Sequence, residues 1–238
     1  MWETTVDGRV LHFHLAGINN QNFIMRDEET GSWWQQVTGE AIFGPLKGHH
    51  LKAVFHDELS FGLWKGENPK GRVLRPDERI EAAREYAPAN WEERMGRAPV
   101  LPQFKKAGQD LEPRATIVGI RLNGAAKAYP LSTLQKQSPI VDRLGGVPLV
   151  ILVGEDHRSV RAFESTVEGQ LLEFFLKPGT IPLQLIDAES GSVWDFSGRA
   201  TAGPLAGRQL KKVPVLEDYW FDWKLYNPNT GVYEIGPR

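Results

Sequence analysis

His157 sits in the run GEDHRS, beside Glu155, Asp156 and Arg158. An imidazole among carboxylates can serve as a base or hold a metal, because its proton is exchanged near neutral pH. A solvated polar turn is the plainer use of the same residues. His12 and His14 would share one face of a strand, since side chains alternate with period two. Two imidazoles on one face could bind a metal, yet no third ligand can be placed, and the matching positions later in the chain are Glu173 and Phe175. No metal site is therefore assigned. Glu40 joins His157 and Asp156 as a candidate catalytic group, with no partner that fixes a role. The chain has no Gly-rich phosphate loop, no G-x-S-x-G elbow and no H-E-x-x-H helix.

The aromatic residues suggest binding instead. Trp33, Trp34 and Trp194 could line a ligand cleft, because aromatic walls with few polar groups make good small-molecule sites. The competing use is as core indoles whose N–H finds a backbone partner, favoured most for Trp34 and Trp194. Asn22, Gln36 and Glu40 are polar positions in an otherwise apolar stretch, and Asp195, Ser197 and Arg199 flank the second tryptophan phrase in the same way. Asp195 and Arg199 could pair across a turn. Trp220, Trp223 and Tyr226 have the spacing of one packed helical face.

Elements that position these residues recur. VDGRVLHFHL (6–15) matches VEGQLLEFFL (167–176), and GSWWQQVTGEAIFGPLKG (31–48) matches GSVWDFSGRATAGPLAG (191–207). Each phrase runs from a short apolar strand through an acidic turn to a Gly-Pro-Leu-x-Gly turn, where proline presets φ and glycine permits a tight bend. At least one glycine of Gly44 and Gly48, and one of Gly203 and Gly207, is expected at positive φ. HHLKAVFH and RQLKKVPV should follow as strands. DELSFGLWKGENP and EDYWFDWKLYNP should form short helices with acidic caps, ending at Asn-Pro. Self-similarity over roughly seventy residues marks an internal repeat.

Between the copies, residues 76–113 form a charged connector expected to hold two short helices. Two hairpins come next: TIVGIRL and AAKAYP about Asn123-Gly124, then IVDRL and VPLVILVG about Gly145-Gly146. VPLVILVG is apolar enough to be buried on both faces. LSTLQKQ reads as a helical turn. The fold class is β-rich α+β, with short antiparallel strands and hairpins in two related units, each ending in a helix. The organisation reads as 1–75 for the first copy, 76–113 for the connector and 114–238 for the second, complete unit.

Composition narrows the function. With 28 basic and 30 acidic residues the net charge is -2, which argues against nucleic-acid binding. No apolar run is long enough to span a bilayer as a helix. There is no cysteine, so thiol nucleophiles, disulfides and Cys-based zinc sites are excluded within this chain.

The phrases SWWQQVTGEAIFGPLKG, SVWDFSGRATAGPLAG, DYWFDWKLYNPNTGVY and VGIRLNGAAKAYPLSTL, with LGGVPLVILV, resemble domain-of-unknown-function family 3179. The resemblance covers nearly everything outside the connector. It implies a bacterial or archaeal protein, often exported, and no established reaction. Asn22, Gln36 and Glu40 match family positions in the first copy. The family carries a His between the Tyr-Pro-Leu segment and the Gly-Gly turn, and a Cys-x-x-Cys after the buried strand. Here Gln137 stands roughly where that His would fall, and Gly154 and His157 stand in place of the two cysteines.

The first expectation is a non-catalytic or degenerate module that binds a small or polymeric ligand or acts as a scaffold, with no cofactor implied. The alternative is an enzyme, a metal-dependent oxidoreductase or a hydrolase, whose thiol and His site lies in a missing N-terminal part. Five residues precede the first copy, against about fifty before the second, so the chain is expected to begin inside a larger protein. A chain complete as given would be cytoplasmic. A longer one, with the family's export signal, would be periplasmic or secreted.

Overall fold

Paired residues of positive φ decide where this chain first reverses. The computed structural model describes residues 1–19, 22–75, 90–101 and 111–235, so most of the charged connector lies outside the described residues. β1 (Thr5–Val6) and β2 (Arg9–Val10) are joined by Asp7 and Gly8, with φ of 49° and 76°. That is the geometry a two-residue hairpin needs to match strand twist. β3 (Phe13–Asn19), β4 (Asn22–Asp27), β5 (Trp33–Gln35) and β6 (Ala41–Phe43) follow as an antiparallel sheet in sequence order. Val6, Leu11, Trp34, Ala41 and Leu51 form the core beneath it. These elements belong to one compact unit, Met1–His56; the other is Asp57–Arg238.

The second unit opens with α1 (Phe61–Glu67). Within the connector, α2 spans Trp91–Arg97. β7 (Thr116–Leu122) and β8 (Ala125–Pro130) form the hairpin about Asn123-Gly124, followed by α3 (Leu131–Lys136). β9 (Ile140–Leu144) and β10 (Val147–Val153) form the next hairpin, and β11 (Val160–Glu164) pairs with β10 on its other side. β12 (Thr166–Val167) and β13 (Gln170–Leu171) make a small hairpin. β14 (Phe174–Leu176), β15 (Gln184–Asp187), β16 (Val193–Asp195) and β17 (Ala200–Ala202) form a second four-stranded sheet. β18 (Lys212–Val213), β19 (Leu216–Tyr219), α4 (Trp220–Tyr226) and β20 (Gly231–Val232) complete the unit. β18 extends the β9–β11 sheet, and β19 and β20 flank β7 and β8. The protein is a β-rich α+β fold.

The burial of β10 follows from its place between two cores. Leu149, Ile151 and Val153 face Val118, Ile120 and Tyr129, while Val150 and Leu152 face Phe163, Phe174 and Trp194. A strand with apolar partners on both faces needs a continuous apolar run, which VPLVILV supplies.

Two expectations are corrected. Residues 49–56 and 208–215 contribute only the bridges Glu40 to His50, Trp2 to Ala53 and Arg199 to Gln209, plus β18. Each successive backbone group there bonds a different neighbour: Leu51 N donates to Gly39 O, while Lys52 O accepts from Glu3 N and Val54 N donates to Met1 O. No ladder can grow from such a pattern. Neither helix has an acidic cap. Ser60 caps α1, accepting from Leu63 N, and Tyr219 precedes α4 without a side-chain cap bond.

Candidate functional site

The indoles are settled first by their hydrogen bonds. Trp34 is fully buried and donates Nε1 to Asp27 Oδ2 at 2.8 Å, and Trp194 does the same to Asp187 Oδ2 at 2.8 Å. Each ring meets a phenylalanine edge-on, Phe13 at 5.8 Å and Phe174 at 5.7 Å. Both carboxylates also accept from the following turn, Asp27 from Thr30 and Asp187 from Ser190 and Ser192. Burial opposes ionisation of Asp27 and Asp187, but the indole and turn donors outweigh it and hold both below the usual carboxylate range. The expected backbone partner of these indoles is thus a carboxylate seven residues earlier, which the spacing D-x-x-[TS]-G-S-x-W could have revealed.

Gly44 and Gly203 close the same constellation. Their φ values are 97° and 91°, and an added β-carbon would lie 2.7 Å from Ser32 Cα and 2.6 Å from Ser192 Cα. Gly48 and Gly207, both at 88°, face open space. All four glycines therefore have the positive φ expected of at least one per copy.

A cavity of about 930 Å³ lies in the second unit. One wall is α1. Ser60 starts that helix, and Asn68 ends it by donating both N and Nδ2 to Trp64 O. Leu59 and Leu63 pack on the core that contains Phe196 and Trp194. Gly62 and Gly66, four residues apart, line the cavity, and a β-carbon on either would meet nothing within 4 Å. The other walls are Glu155 and Asp156, Pro182 and Leu183, and Asp195 to Ser197.

Asp156 anchors its loop. It accepts from Arg158 N, Ser159 N and Ser159 Oγ, with Ser60 also bonded to it. Burial works against the charge, but these bonds dominate and bring its pKa down to about 2. His157 in the same loop is exposed at φ 55°, and its carbonyl accepts from Gln135 Nε2. Gly154 is buried, and a β-carbon there would lie 3.1 Å from Asp156 Oδ1 and 3.3 Å from Phe196 Cζ.

Behind the wall lies Arg161, whose side chain is only 4% exposed. Its guanidinium bonds both oxygens of Glu67, at 2.6 and 2.8 Å, and Asp57 Oδ2 at 2.8 Å, and stacks over Phe196. Lys212 joins at Asp57 Oδ2, 2.7 Å away. Burial would weaken the arginine's charge, but Glu67 and Asp57 more than restore it, raising its pKa. The clamp fastens both ends of the 57–67 segment to β11. Sequence reasoning missed Arg161, Asp57 and Glu67; the available signal was an arginine inside the apolar strand VRAF.

Of the residues singled out from sequence, Asp156, Asp195 and Ser197 line this cavity, and His157 adjoins Asp156 in its loop without lining the cavity. Trp194 supports the core beside it, while Arg199 is exposed and bridges Gln209. Asn22, Trp33, Trp34, Gln36 and Glu40 belong to the first unit. There Trp33 meets Phe43 edge-on at the surface, Gln36 O accepts from Trp2 Nε1, and Glu40 bridges His50. His12 pairs with Glu29 at 2.6 Å, and His14 approaches Glu28 at 4.0 Å. Among the described residues no cluster of three or more His, Asp or Glu could hold a metal.

No curated protein and no solved structure matches this chain. One family profile, described as a protein of unknown function (DUF3179), matches residues 1–230, and the chain belongs to that family.

Proposed function

We propose that this chain is a non-catalytic ligand-binding member of its family, with its site in the cavity beside α1. The observation that carries this reading is the cavity itself: a volume of about 930 Å³ is in the range of small-molecule sites, and its lining mixes apolar side chains with a few placed polar groups. Its walls are also prepared. Asp156 and Glu67 are fixed by hydrogen bonds, so a ligand would meet an ordered surface. The loop that resembles the family's Cys-x-x-Cys segment contributes Glu155 and Asp156 to the lining, while Gly154 and His157 stand where the thiols would be. That replacement supports binding without thiol chemistry.

The test is a thermal-shift screen of a chemically diverse small-molecule panel against wild type, Gly66→Leu and Gly62→Phe. The two substitutions place side chains in the open volume, using the residues found at the matching positions of α4, Leu225 and Phe221. Some compounds should raise the unfolding temperature of wild type and not of the filled variants. If no compound does so, or if the shifts persist in both variants, the reading is wrong.

A further inference from the structure

We infer that the cavity beside α1 selects a small organic cation, an amine carried on a short apolar or aromatic body. This rests on the cavity being a binding site and adds the class of ligand. The apolar body is specified by Leu63, Pro182, Leu183 and the Phe196 ring, with the bare backbone of Gly62 and Gly66 leaving a slot for a flat group.

The charge is specified by what lines the space and what does not. Among the described residues four carboxylates border it, Glu67, Glu155, Asp156 and Asp195, and no Lys, Arg or His side chain does. Glu67 is neutralised from behind by Arg161. That guanidinium is enclosed by Glu67, Asp57 and Phe196, so it is not presented to a ligand. Asp156 remains ionised at neutral pH because of its four donors. Asp195 uses Oδ1 to accept from Ser197 Oγ and Arg199 N, which orients the carboxylate and, among the described residues, leaves its other oxygen for a donor. An anionic ligand would bring a like charge against Glu155, Asp156 and Asp195 in a partly enclosed space, where such repulsion is less screened than in open water. A neutral ligand would gain only the apolar contacts. A cation gains both.

The experiment titrates the full chain with benzylamine, benzyl alcohol and benzoate, which share one ring and differ in charge. Binding is read by ligand-observed NMR or calorimetry at low and at 0.5 M NaCl. Benzylamine should bind roughly three- to tenfold tighter than benzyl alcohol at low salt, as partly exposed charge pairs allow. Benzoate should bind weakest, and the amine's advantage should shrink at high salt. In Glu155→Gln combined with Asp195→Asn the amine's advantage over the alcohol should shrink, since of the three carboxylates not paired with Arg161 only Asp156 keeps its charge, with the unfolding temperature confirming that the variant is folded. Equal binding of amine and alcohol to wild type, or a preference for benzoate, overturns the inference while leaving the cavity a binding site. Failure of all three to bind overturns it as well, and the diverse panel with the filled variants then decides separately whether the cavity binds anything.

Discussion

Helices α1 and α4 carry the same ending, Trp-Lys-x-x-Asn-Pro, and the same device closes both. Asn68 and Asn227 each donate N and Nδ2 to the tryptophan carbonyl four residues back. Their surroundings differ completely. α4 buries Trp220, Phe221, Asp222 and Trp223, whereas α1 buries no residue fully. Trp223 donates Nε1 to Thr230 Oγ1, three residues beyond the shared Asn; at the same distance from Asn68 stands Gly71, against which the Trp64 ring packs directly. On α4, Phe221 is covered by Val100 and by the Arg114 guanidinium, 5.2 Å away. On α1 the matching residue is Gly62, and the covered face becomes an open cavity wall. Local signals set where a helix stops. The side chains it projects decide whether a face becomes core or site.

The same comparison applies to the two sheets, where it can be broken by mutation. The largest effect should come from Asp27→Ala and Asp187→Ala. Each removes a buried carboxylate with several donors, including an indole N–H left without an acceptor, and should cost about 3 kcal/mol in urea unfolding. A loss below about 1 kcal/mol in one variant but not in the other would show that the two constellations are not energetically equivalent. Next come Gly44→Ala and Gly203→Ala, where positive φ and a β-carbon pressed on a serine backbone should together cost about 2 kcal/mol. Gly48 and Gly207 also have positive φ but face open space, so Gly48→Ala and Gly207→Ala should cost nearer 1 kcal/mol. Indistinguishable losses at the two kinds of glycine would mean that crowding is relieved elsewhere.

α4 should also respond to pH in a way α1 does not. Where α1 and the residues before it have Leu63 and Leu59, α4 and the end of β19 have Asp222 and Asp218. Burial, followed by the Asp222 charge, pushes Asp218 up to about 8. A carboxyl raised in the fold contributes stability that is fully present below its unfolded pKa near 4 and is lost as pH rises through about 8. Asp218→Asn should therefore flatten the decline between those limits and raise stability at pH 8 by on the order of 1 kcal/mol. A steeper decline in the variant, measured by denaturant unfolding across that range, would contradict the assignment. Smallest of all, Gly66→Leu should stabilise α1 by about 0.5 to 1 kcal/mol, since a helical glycine is replaced where nothing obstructs a side chain. Destabilisation would mean that the open volume is needed by the fold.

Much of the architecture can be read from the order of residue types. Asp7-Gly8 and Asn123-Gly124 specify hairpins because few other pairs tolerate two positive φ values. VPLVILV specifies a strand enclosed on both sides. Gly-Pro-Leu-x-Gly specifies a bend that the chain makes twice with matching φ. These are local rules of backbone sterics and side-chain alternation, and they act over a few residues.

The site was not legible in the same way. Trp34 and Trp194 stand in the cores, the place favoured for them over a cleft, but what holds them there is Asp27 and Asp187 rather than a backbone acceptor. Arg161 meets Asp57 and Glu67 across about a hundred positions of sequence, and no periodicity announces such a meeting. Gly62 and Gly66 look like weak helix residues until Leu183 and Phe196 are brought opposite them. The turns, the strand alternation and the helix ends follow from residue order, because they depend on φ preference and alternation along one stretch of chain. Which acids are anchored, which arginine is enclosed and which face stays open emerge only once the chain is folded. Those properties arise from groups distant in sequence sharing one region of low solvent access.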